Sequence, residues 1–158
     1  MPRIWLASKL VLNTIPHVHL VIDTNVVVSA LRSKRGASSN VLRHIALGRL
    51  TMSLSVAVFL EYEDVLLRPG MVPGFSPETI SRYLDALCAA AAHQEIFFTW
   101  RPTLSDPGDE ILLELAVAAG ATHIVTHNTR HFEQADSFGI RVVTPSELLK
   151  GDIRSCPH

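Results

Sequence analysis

Val18-His19-Leu20-Val21-Ile22-Asp23-Thr24-Asn25 is the stretch from which the rest of the chain is read. The run up to Ile22 is rich in β-branched residues, which suits a strand buried on both faces. It exits into Asp, Thr and Asn, all residues that cap helices, and Val26-Val27-Val28-Ser29-Ala30-Leu31 follows. A carboxylate at the carboxyl end of a central strand faces the crevice where open α/β sheets bind ligands. Asp23 therefore has two readings at this point, a helix cap or an active-site acid.

Working outward, helix and strand signals alternate. Asn25 to Ser33 reads as a helix with Gly36 as a left-handed stop, and Ser38 or Ser39 caps a second helix that Gly48 ends. Leu50 to Leu54 alternates like a short strand. Ser55 caps a helix from Val56 to Leu67, whose stripe Val58, Phe59, Tyr62, Val65 and Leu66 has helical spacing. Ser76-Pro77-Glu78 opens another helix, with serine as cap and proline at its first position. Glu95 to Trp100 is expected as an edge strand, and Asp109 as the cap of a helix over 110–119 stopped by Gly120. Thr122 to Thr126 is a strand, His127 to Arg130 a polar turn, Ile140 to Val143 the last strand, and Thr144-Pro145-Ser146-Glu147 starts a final helix. Such alternation implies an α/β fold with a parallel sheet and right-handed crossovers. The organisation expected is an extension over 1–17, one domain over 18–150 and a tail over 151–158.

Composition narrows the class. At 158 residues, 47% hydrophobic and 18% charged, the chain has the makeup of one compact domain with a large interior, not of a disordered chain. A mean hydropathy of +0.25 is explained equally by a well-filled core or by apolar surface that a second chain covers. The net charge of -1 leaves nucleic-acid binding to local patches. Cys88 and Cys156, far apart and outside any CxxC pattern, read as a buried thiol and a tail thiol in a reducing compartment. Arg3 followed by Ile4-Trp5-Leu6-Ala7 has a leader-like start, but Lys9, Asn13 and Pro16 interrupt it. No apolar run reaches the roughly 18 residues that span a bilayer, so no membrane partner and a cytoplasmic location are expected.

Asp23, Ser55, Asp109 and Asn128 fall at or just beyond strand ends or helix starts, so several can converge on one sheet edge, and Glu61, one turn in from its helix start, can point back toward the strand ends. Carboxylates clustered without cysteine suit a hard, oxygen-preferring cation, Mg²⁺ or Mn²⁺. The bland readings are that Glu61 pairs with Arg68 and that Asp109 is only a cap. His127 and His131 share a helical spacing but lack the intervening glutamate and third ligand of a zinc site. For RNA, Arg32-Ser33-Lys34-Arg35 and Arg130 are the cationic candidates.

Four stretches carry a family resemblance. Val21-Ile22-Asp23-Thr24-Asn25 resembles the opening motif of PIN-domain ribonucleases. Leu60-Glu61-Tyr62-Glu63-Asp64-Val65-Leu66-Leu67-Arg68-Pro69 resembles the second block of the bacterial toxin-like branch. Asp106-Pro107-Gly108-Asp109-Glu110-Ile111-Leu112-Leu113-Glu114-Leu115-Ala116 is similar to the third block, and Ile124-Val125-Thr126-His127-Asn128-Thr129-Arg130-His131-Phe132 to the fourth. The resemblance implies a three-layer sandwich around a central, mostly parallel sheet of about five strands. It further implies Mg²⁺- or Mn²⁺-dependent hydrolysis of RNA leaving a 5′-phosphate and a 3′-hydroxyl, a homodimer, and inhibition by a small antitoxin protein. By the same resemblance Asp23, Glu61 and Asp109 are catalytic metal ligands, with Asn128 completing the metal set.

The match departs from the pattern in two places. Asn128 stands where many relatives carry a fourth aspartate, and His131 where others carry an acid before phenylalanine; Asp106 is a candidate substitute. Asn25 and Thr126 read as groups that orient the carboxylates by hydrogen bonds. The departures keep a second reading open, a PIN-like RNA- or partner-binding module with a weakened metal site. Two metal-dependent rivals that also start from a strand-end aspartate fit poorly. A dehalogenase-type phosphatase wants an acid where Asn25 stands, and a receiver domain wants a paired acid and a late lysine.

Overall fold

A computed structural model describes residues 18–97 and 104–151. β1 (His19–Ile22) leads into α1 (Thr24–Arg32) and α2 (Ala37–Ala46); β2 (Thr51–Leu54) leads into α3 (Val56–Leu66) and α4 (Pro77–Ala90). β3 (Ala92–His93), α5 (Pro107–Ala118), β4 (His123–Val125), a 3₁₀ segment (Thr129–Phe138), β5 (Arg141–Val143) and α6 (Pro145–Gly151) complete the chain. The five strands form one sheet in the order β3-β2-β1-β4-β5, every pair parallel. This is the helix-flanked α/β architecture expected from the sequence.

The opening stretch is the centre of the sheet. Leu20, Val21 and Ile22 have no exposed surface, because β1 pairs with β2 on one side and β4 on the other while α5 lies against all three. Burying aliphatic side chains of this size contributes about 1.5–3 kcal/mol each, which fixes β1 in register. Strand order runs outward from β1 in both directions, so the chain switches direction between β1 and β4. That is where an open α/β sheet forms a ligand crevice beyond its carboxyl ends. The ladder continues one residue past the strands: the Asp23 amide donates to the Val125 carbonyl (2.9 Å) and the Thr126 amide to the Val143 carbonyl (3.0 Å). Asp23 and Thr126 are thereby held level at the switch point.

Local signals account for most boundaries. The Ser55 hydroxyl accepts from the Val58 amide and that of Ser76 from Thr79, with Pro77 in the first turn of α4. Gly48 and Gly120 close α2 and α5 at φ 71° and 63°, where a Cβ would be strained.

Five expectations are corrected. Gly36 is not a left-handed stop; its φ is -74° and it is the N-cap residue of α2. Ser38 is buried inside that helix, its hydroxyl 3.0 Å from His127 Nε2, so a tertiary contact displaces its capping role. Asp109 does not cap α5, because Asp106 does: its Oδ1 accepts from the amides of Gly108 (2.8 Å) and Asp109 (3.3 Å), and Pro107 opens the helix. The edge strand lies earlier than Glu95–Trp100. β3 pairs at Ala92 and His93 with Ser53 and Leu54, and Ser55 then turns away to cap α3, so among the described residues 95–97 have no strand pairing. Residues 98–100 of that stretch lie outside the described residues, as do 1–17 and 152–158. The polar turn after β4 continues as the 3₁₀ segment, anchored by buried Phe132 and Ala135 at the three-residue spacing of that helix. Cys88 is half-buried, not buried, with its Sγ 3.4 Å from His93 Nε2; Cys156 lies outside the described residues.

Candidate active site

Asp23 sits in the N-cap position of α1, yet its side chain makes no capping hydrogen bond. Its Oδ2 accepts instead from the Thr126 hydroxyl at 2.7 Å. Thr126 has no exposed surface, and its Oγ1 also accepts from the Asn128 amide (3.0 Å) and from Asn25 Nδ2 (3.4 Å). Asn25 Oδ1 in turn accepts from the His127 amide at 3.3 Å. A chain of hydrogen bonds from the β4 exit thus fixes the rotation of the Asp23 carboxylate. Burial raises the Asp23 pKa above the ordinary carboxylate value; the Thr126 hydroxyl, the neighbouring amides of Thr24 and Asn25, and His131 act in the opposite direction.

Glu61 faces the same cleft from α3. It does not pair with Arg68, which is bound to Asp64 at 2.6 Å one helical turn away. Glu61 Oε1 accepts from the Thr24 hydroxyl at 3.3 Å. Burial raises its pKa, and the charges of Asp23, Asp106 and Asp109 add to the rise. The next residue, Tyr62, is fully buried and donates its hydroxyl to the Ile22 carbonyl. Burial, then Asp23 and Glu61, hold that phenol well above its usual range, so it remains a donor at any working pH.

Asp109 lies in the first turn of α5, its side chain 16% exposed, with Oδ2 3.0 Å from His131 Nδ1. Its pKa is raised by burial and by Asp106 and Asp23, against the opposing effect of His131. Asn128 is exposed at the head of the 3₁₀ segment, and its side chain makes no capping bond. Asp23, Glu61, Asp106, Asp109, Asn128 and His131 all line one open cleft of about 540 Å³. Burial raises the pKa of Asp23, Glu61 and Asp109, and the charges of neighbouring carboxylates add to the rise at Glu61 and Asp109. Oxygen donors in that condition suit a hard divalent cation.

Two features fit such a cation without being visible in the motif. Gly108 lets two cleft carboxylates approach its backbone closely: a Cβ there would stand 3.0 Å from Glu61 Oε1 and 3.1 Å from Asp106 Oδ1. The carboxylates occupy the space a side chain would fill. The second is the His131–Asp109 contact, which orients Asp109 from outside the helix. In the sequence Asp106-Pro107-Gly108 reads as loop ahead of the helix, where a glycine is ordinary and carries no signal of this contact. Among the described residues, no three His, Cys, Asp or Glu side chains stand as a ready metal-ligand set. His127 and His131 are directed to different partners, Ser38 and Asp109.

Cations flank the cleft. Arg32 lines it, with Nε donating to the Met71 carbonyl at 2.7 Å, and Lys34 shares an adjoining depression with Arg32. Arg130 lines a second depression with Asp106, Asp109 and His131. A more apolar groove of about 340 Å³ between α1, α2 and α4 has no carboxylate in its lining and is separate from this chemistry.

A sequence model of the PIN domain matches residues 19–130, from the start of β1 through Arg130. The chain belongs to the PIN domain family. That span includes every carboxylate of the cleft. No curated protein matches the chain. PIN domains are generally associated with nuclease activity and typically use divalent metals. No helix among the described residues of this PIN domain is long and apolar enough to cross a membrane.

Proposed function

We propose that this PIN domain is a Mg²⁺- or Mn²⁺-dependent endoribonuclease, and that it is the toxin of a toxin–antitoxin pair. The observation that carries the nuclease reading is the convergence of Asp23, Glu61 and Asp109 on one cleft, each with a pKa raised by burial and two of them by their neighbours' charges. Asp23, Glu61 and Asp109 would hold the cation, with Asn128 as a neutral oxygen donor. The cation would polarise a phosphate oxygen and lower the pKa of a bound water.

The chain's own groups do the rest. Thr126 fixes the Asp23 carboxylate, and His131 orients Asp109. Arg32, which lines the cleft, and Arg130, in the depression that shares Asp106 and Asp109 with it, would neutralise the phosphates of an RNA strand bound there. RNA cleavage with Mg²⁺ or Mn²⁺, compared between the wild type and Asp23→Asn, tests the reading. Loss of a ligand charge is expected to cost roughly 100-fold or more, and equal cleavage by both proteins overturns it.

The toxin role and a cytoplasmic site of action rest on the likeness of residues 60–69 to the toxin branch. Growth arrest on expression, relieved by a small protein encoded beside the gene, is the expected outcome. A homodimer is supported by Val56, Leu60 and Leu67, large exposed apolar residues that recur on one side of α3 and its cap. Leu60→Glu should then sediment as a monomer.

Asn128 favours one other reading. A neutral amide there brings no charge, so the domain would serve as an RNA- or partner-binding module with little nuclease activity. No Mn²⁺ binding at millimolar concentration, with RNA binding intact, would select that module.

A further inference from the structure

We infer that Thr24 and Tyr62 form a clamp that sets the spacing between the carboxylates of Asp23 and Glu61. The inference rests on the metal-site reading given above. Two adjacent residues of α3 bind the two neighbours of Asp23. The Tyr62 hydroxyl donates to the carbonyl of Ile22, on one side of Asp23, and the Thr24 hydroxyl, on the other side, donates to Glu61 Oε1 at 3.3 Å. The two bonds run in opposite directions, one from α3 to β1 and one from the start of α1 to α3. Asp23 is enclosed between them.

The Ile22 carbonyl is available for this because of the sheet register. β2 pairs with β1 at His19 and Leu20 and goes no further along it. An unpaired carbonyl at a fully buried residue would cost about 1–3 kcal/mol, and the phenol takes the place of the missing ladder donor. Tyr62 therefore anchors α3 to β1 at the residue before Asp23. Thr24 is itself buried, so its hydroxyl has little freedom to choose another partner. With Ile22 and Thr24 both tied to the 61–62 pair, the carboxylates of Asp23 and Glu61 cannot separate without breaking one bond. They are positioning residues, acting through the two acids and not on the substrate.

The expected signature is metal selectivity. Mg²⁺ demands near-ideal octahedral geometry and dehydrates reluctantly, so a loosened pair of carboxylates penalises Mg²⁺ more than Mn²⁺. Tyr62→Phe, Thr24→Val and Thr24→Ser are compared with the wild type by Mn²⁺ and Mg²⁺ titration calorimetry, by RNA cleavage with each metal and by metal-free melting. Tyr62→Phe and Thr24→Val are each expected to weaken Mg²⁺ binding about 10-fold or more and Mn²⁺ binding less. Thr24→Ser, which keeps the hydroxyl, should remain within about twofold of the wild type. If Tyr62→Phe does not fold, the Thr24 pair carries the test.

A lowered melting temperature with both affinities unchanged, or an equal loss for both metals, makes the two residues merely structural and overturns the clamp. A wild type that binds Mn²⁺ without cutting RNA overturns the nuclease reading alone, since the clamp is judged by affinity. A wild type that binds neither metal overturns both.

Discussion

Gly108→Ala separates stability from function at this site. A Cβ at position 108 would meet Glu61 Oε1 at 3.0 Å, Asp106 Oδ1 at 3.1 Å and Glu61 Oε2 at 3.4 Å. Ordinary van der Waals contact for such a pair begins near the last of these, so the Glu61 carboxylate must retreat by about 0.4 Å and the Asp106 carboxylate by slightly less. Glu61 is the far end of a flexible side chain and moves at little cost. Asp106 is the cap of α5, and loosening it costs up to about 1 kcal/mol. Replacing a helical glycine by alanine returns about 1 kcal/mol, so the net change in folding stability is close to zero. At 2–4 °C per kcal/mol for a domain of this size, the metal-free melting temperature should stay within about 4 °C of the wild type. Function has no such compensation: a retreat of about 0.4 Å uses up most of the roughly 0.5 Å within which a site stays productive, and it falls on a carboxylate proposed to hold the cation. We expect Mn²⁺ affinity and RNA cleavage to fall about 10- to 100-fold, measured by titration calorimetry and cleavage of labelled RNA. An alanine variant with both quantities within twofold of the wild type would refute the cradle.

The acids also predict a pH dependence. Asp23, Glu61 and Asp109 have pKa values raised above the ordinary 3.8 or 4.5, so their contribution to stability is full below those values and is lost as pH rises through the raised ones. Metal-free Asp23→Asn should therefore gain melting temperature relative to the wild type as the pH goes from about 4 to 7, and Mn²⁺ at 100 times its Kd should return about 2.7 kcal/mol to the wild type at pH 7; a pH-independent difference would contradict this. Thr126→Val removes the donor to Asp23 and the acceptor for the Asn128 amide, so it should cost about 1–3 kcal/mol in chemical denaturation, whereas Thr126→Ser should retain both stability and metal affinity. Arg130→Ala should reduce the salt dependence of RNA binding by about 0.7 in log–log slope, the value for one phosphate contact on a single strand. An unchanged slope in a filter-binding series would remove Arg130 from the RNA path.

The parts of the fold that were legible in the sequence are those decided by local chemistry. Ser55 and Ser76-Pro77 open helices because the capping group lies within the same few residues, and Gly48 and Gly120 end them because φ must become positive there. β1 was legible because a run buried on both faces has no polar alternation. What was misread depended on partners far along the chain. Ser38 has the chemistry of a cap but serves His127, 89 residues away. β3 is short because its neighbour β2 ends, which no feature of residues 92–100 records. Within the cleft the same division holds. Asp23 and Asp109 were legible as acids at element ends, and Glu61 as an acid a turn inside its helix. Gly108 and Tyr62 were not, because their importance lies in which surface approaches them: a carboxylate from α3 over one, the exit of β1 against the other.

The missing acid at position 128 takes a different weight once the cap of α5 is reassigned. A site expected to draw its fourth charge from the exit of β4 has Asn128 there, exposed and neutral. Yet the cleft contains a fourth carboxylate, Asp106, whose charge helps raise the pKa of both Glu61 and Asp109. Its Oδ1 is committed to the amides of Gly108 and Asp109, which draw off part of its charge and fix its direction. Asp106 therefore contributes to the field of the site more than it offers itself as a ligand. Four carboxylates line the cleft, while Asn128 lines it with a neutral amide. Under the proposed function, an RNA phosphate approaching Asn128 would meet less repulsion than it would against an aspartate there. Under that same function the substitution would weaken the hold on a cation and ease the approach of the anion, and the two effects would oppose each other in the rate of cleavage.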